Sequence, residues 1–138
     1  MVTRKFFEKR FRVPHASRVP VSFGKPLHQE ISQHTVRIVV WNVFKGYLLS
    51  WLDDMSQILK KSDIAILQEA KFDPVTVDFL QHWQPFEWQA ALSYFAKDNI
   101  ATGVSTGSNV SSLDSRYLRS SASEPLTRTP KMTLLTRY

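Results

Sequence analysis

The chain contains no cysteine, which excludes a disulfide framework, a thiolate zinc site and a cysteine nucleophile. It has only four glycines in 138 residues, which speaks against a glycine-rich phosphate-binding loop. No apolar run approaches the ~20 residues of a membrane-spanning helix, because charged side chains interrupt each one. Residues 1–12 mix basic and aromatic side chains without an apolar stretch, so a secretory leader is not expected and a cytoplasmic location is. What is present is a 43% hydrophobic and 12% aromatic composition, more than a disordered chain carries. The length suits one folded body with a modest core.

The formal charge of +6 is unevenly placed. Residues 1–30 hold seven basic against two acidic side chains, and the remainder holds 11 against 10. The sequence therefore divides into a basic arm, 1–34, which is extended or poorly ordered, and a nearly neutral domain, 35–138. In the arm Arg4, Lys5, Lys9, Arg10 and Arg12 alternate with Phe6, Phe7 and Phe11. Such a segment suits contact with nucleic-acid phosphates and bases or with an anionic surface. It equally suits a solvated extension whose phenylalanines cover a sheet edge.

Within the domain, VRIVVWNV at 36–43 reads as a strand buried on both faces, broken by Lys45 and Gly46. Ser50 is placed to cap a helix whose apolar face is Trp51, Leu52, Met55, Ile58 and Leu59, with Asp53 and Asp54 at its positive end and Lys60 and Lys61 at its negative end. DIAILQE at 63–69 reads as a second strand, and strand–helix–strand at this spacing implies a parallel βαβ pair. Asp73 and Pro74 form an N-cap and first-turn pair for a second helix to about His82, with Val75, Phe79, Leu80 and Trp83 expected on its core face. From Trp88 the period becomes two, and residues 88–106 read as an antiparallel hairpin turning at 96–99. Residues 105–123 carry eight serines and read as a surface loop anchored by Leu113, Tyr117 and Leu118. Pro125 and Pro130 bracket an extended stretch, and 132–138 reads as a strand. The expected class is α+β (α/β): a βαβ unit followed by a helix and antiparallel strands.

Chemistry concentrates at two strand ends. Asn42 and Glu69 close the two parallel strands, and parallel neighbours bring their carboxyl ends together, where open α/β sheets bind ligands. An amide beside a carboxylate suits Mg²⁺, which takes one or two carboxylates plus water and phosphate oxygens. A carboxylate at a strand end can equally be a surface group or an ion-pair partner. Lys45 and Lys71, just beyond the strand ends, could meet a phosphate or be solvated. The serines lack a Gly-x-Ser-x-Gly elbow, which disfavours a serine hydrolase. Trp41, Trp51 and Trp88 fall on core faces.

The strand ending in Trp41-Asn42 and the strand ending in Leu67-Gln68-Glu69 resemble the opening of the endonuclease/exonuclease/phosphatase superfamily, the DNase I-like fold. ATGVST at 101–106 resembles that family's later Gly-Val strand, and EPLTRTPK at 124–131 with TLLTRY at 133–138 looks closest to its bacterial YafD-type branch. The resemblance covers about residues 35–138 and implies half of an α/β sandwich. It implies that Glu69 binds a catalytic Mg²⁺ or Mn²⁺ with Asn42 as its partner, for hydrolysis of phosphodiesters or phosphomonoesters, nucleic acid among them. The family's later Asn-x-His or Asp-x-Asn and terminal Ser-Asp-His are not in this sequence, which matches the N-terminal portion; the chain by itself is expected to be inactive or weak. The alternatives are a non-catalytic module that binds nucleic acid or a partner through the basic arm, and self-association through an open sheet edge.

Overall fold

The computed structural model describes residues 21–32, 34–48, 50–95, 98–118 and 131–136, with 116–118 and 131–136 described at the level of the backbone. In chain order these form β1 (Val21–Gly24), β2 (Ile38–Asn42), a 3-10 turn (Phe44–Gly46), α1 (Trp51–Leu59), β3 (Ile64–Lys71), α2 (Pro74–His82), β4 (Glu87–Phe95), β5 (Ala101–Ser108), β6 (Ser112–Leu118) and β7 (Lys131–Thr136). Five strands make a mixed sheet in the order β1-β4-β5-β3-β2, and β6-β7 is a separate antiparallel pair. The architecture is α+β. β2 and β3 are parallel, with Ile38 opposite Ile64 and Asn42 opposite Gln68, as the βαβ spacing predicts. β4 and β5 form the expected antiparallel hairpin. No helix among the described residues is long and apolar enough to cross a membrane.

The core lies between one sheet face and the two helices. Ala65 and Leu67 of β3, Trp88 of β4, Trp51, Met55 and Leu59 of α1 and Leu80 of α2 are buried in one cluster. Trp88 is fully buried and satisfies its indole N–H by donating to the Leu80 carbonyl at 2.8 Å, as a buried polar group must. Its ring lies across Gly107 of β5, where an added Cβ would sit 2.5 Å from the indole. Asp73 caps α2 by accepting from the Thr76 N–H at 2.8 Å, with Pro74 in the first turn.

Several expectations are corrected. The first strand is buried on one face only: Ile38 and Val40 are 58% and 60% exposed, because β2 is an edge strand and the helices cover only the Val39–Trp41 side. Ser50 makes no cap. Its backbone is not extended, and its hydroxyl donates to the Asp54 carboxylate at 3.0 Å instead. On α2, Thr76 and Leu80 face the core while Val75 and Trp83 are exposed. The capped first turn sets the helix so that this i, i+4 stripe meets the sheet.

The serine-rich region is strand rather than loop over its described part apart from residues 109–111. β5 runs to Ser108 and β6 begins at Ser112. Ser105 and Ser108 are buried because local partners satisfy them: the Ser105 hydroxyl donates to the Gln89 carbonyl, and Ser108 Oγ accepts from the Val110 N–H. Ser112 joins β6 to the sheet by donating from its hydroxyl and its N–H to Glu87. Leu113 is exposed and anchors nothing; the side chains of Tyr117 and Leu118, and residues 119–130, lie outside the described residues.

The boundary at 34 also moves. β1 is a strand of the main sheet, paired antiparallel with β4, and Leu27 and His28 donate their N–H groups to the Asn109 carbonyl. Charge drew that boundary, whereas backbone pairing sets it. Arg4, Lys5, Lys9, Arg10 and Arg12 lie outside the described residues.

Candidate functional site

The parallel pairing carries β2 and β3 to one sheet end, where the chain leaves β2 as Val43 donates its N–H to the Gln68 carbonyl at 3.0 Å. A regular strand alternates faces, so Glu69 would follow Ala65 and Leu67 into the helix-covered core. It does not. Between Leu67 and Ala70, β3 carries one residue more than β5 opposite it, a β-bulge. Glu69 takes a left-handed backbone conformation with φ 51°. The extra residue puts Ala70 in the core and turns the Glu69 carboxylate out to solvent.

There Asn42 Nδ2 donates to Glu69 Oε1 at 3.0 Å. Asn42 Oδ1 accepts from the Phe44 N–H at 2.9 Å. The amide is therefore engaged at both ends: it holds the carboxylate and the start of the following turn, and its oxygen keeps a second lone pair. Glu69 Oε2 is the oxygen that this hydrogen bond leaves for another partner.

Strain collects around this pair. Phe44, Lys45 and Gly46 take φ 47°, 56° and 69° in succession beside Glu69, and of the four non-glycine residues with positive φ among those described only Asn99 lies outside this site. Each non-glycine residue in this region costs about 1–2 kcal/mol, and such outliers cluster where function requires a geometry that packing alone would not choose. The turn is firmly seated nonetheless. Val43 is buried at one end and Trp51 at the other, and a Cβ on Gly46 would come within 2.8 Å of the Trp51 indole nitrogen.

The two lysines differ. Lys45, half-buried in the turn two residues beyond Phe44's neighbour Val43, forms no ion pair among the described residues. Lys71 is paired with Asp98 at 3.2 Å, so its ammonium is already committed. The Asp98 carboxyl is held below its usual range, first by the Ile100 N–H and then by Lys71.

Among the described residues no three His, Asp or Glu side chains converge as a metal cage. The site offers one oriented carboxylate, which fits a hard ion such as Mg²⁺ that keeps most of its water and does not fit a closed zinc site. The described histidines lie elsewhere. His28 bridges to Val110, His34 precedes β2, and His82 ends α2 beside Asp78. A groove of about 700 Å³ between the helices, lined by Leu52, Val75, Phe79 and Trp83, contains neither Asn42 nor Glu69.

Two side chains at this end escaped the sequence reading. Phe44 and Tyr47 are 56% and 65% exposed, and their rings meet edge to face with centroids 5.5 Å apart and planes at 75°. The available signal was an aromatic on either side of the Lys45-Gly46 strand break.

No family model matches the chain, and no solved structure matches it. It is similar to a UPF0294 protein of Klebsiella pneumoniae (strain 342), 29% identical over 123 residues, which cover 83% of this chain and 41% of that protein. The chain thus spans about two fifths of the length of that relative.

Proposed function

We propose that this chain carries the metal-binding portion of a divalent-metal-dependent phosphate-ester hydrolase, of the endonuclease/exonuclease/phosphatase type with a DNase I-like fold. The observation that supports it is the Asn42–Glu69 hydrogen bond at the joined carboxyl ends of β2 and β3. On this reading Glu69 holds Mg²⁺ or Mn²⁺, and Asn42 locks the carboxylate rotamer so that little ordering is left to occur on binding. The bound ion supplies Lewis-acid polarisation of a phosphoryl oxygen. Lys45 adds a positive charge beside the strand end, favouring an anionic ester. On this reading the part played by the described residues at this strand end is binding of metal and ester.

Glu69→Gln tests the reading. It keeps the shape and the bond to Asn42 while removing the charge. Titration calorimetry with Mn²⁺ is expected to show affinity falling by at least about tenfold, the scale of one lost charge-assisted contact. Asn42→Ala should weaken the same binding by a smaller factor, as loss of an orienting partner does. Unchanged Mn²⁺ affinity in Glu69→Gln overturns the assignment.

A further inference from the structure

We infer that Phe44 and Tyr47 form a stacking subsite beside the Glu69 carboxylate, which selects phosphate esters carrying a planar base, that is, nucleotides and single-stranded nucleic acid. The inference rests on the metal-dependent hydrolase reading and narrows its substrate class.

Three observations carry it. The rings are exposed. The turn that bears them is seated on buried Val43 and Trp51, and three successive left-handed residues hold it in a shape that points large apolar groups at solvent. Such strain needs a compensating use. The Phe44 backbone is tied to the same Asn42 amide that orients Glu69, one hydrogen bond on each end of that amide. The backbone that bears the Phe44 ring and the carboxylate are thereby tied to one amide, so that a base on the ring and its phosphate at the carboxylate could be served together. Finally, an edge-to-face pair covers at most one ring face with its partner's edge and leaves a π-face open to a base. Stacking of this kind tolerates any base, because every base has such a face. Lys45, between the two rings in sequence and unpaired among the described residues, suits the attached phosphate.

The competing occupant is a lipid surface, since Leu48 next to Tyr47 is also exposed. A base is favoured because the Phe44 backbone is tied through the Asn42 amide to the carboxylate, a link that a membrane anchor has no need of.

The test is fluorescence anisotropy with the full chain, without divalent metal, on a labelled oligothymidylate and on an abasic strand of equal length and charge. The base-bearing strand should bind about tenfold more tightly, the scale of one base–aromatic stack. Phe44→Ala and Tyr47→Ala should each erase most of that preference, Phe44→Trp should keep it, and Glu69→Gln should leave it intact. The Glu69→Gln arm separates the two proposals, since lost Mn²⁺ binding with retained base preference supports both. Equal affinity for the two strands, a preference that survives both alanine variants, or ring-dependent binding to anionic phospholipid vesicles without base preference each overturns the inference.

Discussion

On one side of β2 and β3, Val39, Trp41, Ala65 and Leu67 pack against the helices. On the other, Ile38 and Val40 stand more than half exposed, with Ile64 and Ile66 half-buried. Both sides are apolar, yet only one is covered. β-branched runs specify a strand because they fit a pleated surface. They do not specify how many layers cover it. The open side ends in Asn42 and the exposed Glu69, so the candidate site lies at the rim of the uncovered region, where backbone strain rather than burial sets the geometry.

The contrast can be broken from the covered side first. Trp88→Ala removes the largest fully buried side chain together with its bond to the Leu80 carbonyl and should cost about 3–5 kcal/mol. Chemical denaturation should show this as a fall in midpoint without a change of slope. At the rim the sign should reverse. Lys45→Gly relieves a left-handed non-glycine residue, and after glycine's greater unfolded-state entropy it should leave the chain about 0.5–1 kcal/mol more stable, readable as a higher Tm. The open face should respond least. Val40→Thr keeps the shape of an exposed side chain and should shift stability by no more than about 0.5 kcal/mol. A loss near that of Trp88→Ala would mean that Val40 is covered in solution and would dissolve the comparison.

Much of the layout was legible. The parallel βαβ pair follows from the spacing of two apolar runs around an amphipathic helix, the Asp73–Pro74 start from cap chemistry, and the β4–β5 hairpin from a change of period. Other parts were not. The serine-rich strands hide because serine has no strand preference, and Ser105 and Ser108 become strand residues only once Gln89 and Val110 satisfy them. β1 hides inside a segment whose charge resembles a tail, because pairing with β4, some 60 residues later, contributes nothing local.

The site divides the same way. That Asn42 and Glu69 lie at neighbouring strand ends follows from parallel pairing and needs no coordinates. That Glu69 faces solvent does not follow, since unbroken alternation from Ala65 through Leu67 would bury it. The exposed rings of Phe44 and Tyr47 were equally hidden, since aromatic residues read as core by default.

The sequence by itself determined the strands β2 to β5 and β7, the helix spans and the pairing of two strand ends, all of which depend on local periodicity and on interactions between near neighbours. The tertiary structure alone decided which sheet face is covered, where β1 and β6 pair, and how a single inserted residue in β3 turns a carboxylate outward. These are settled by non-local pairing, whose free energy is shared among residues far apart in the chain and is written in no one segment.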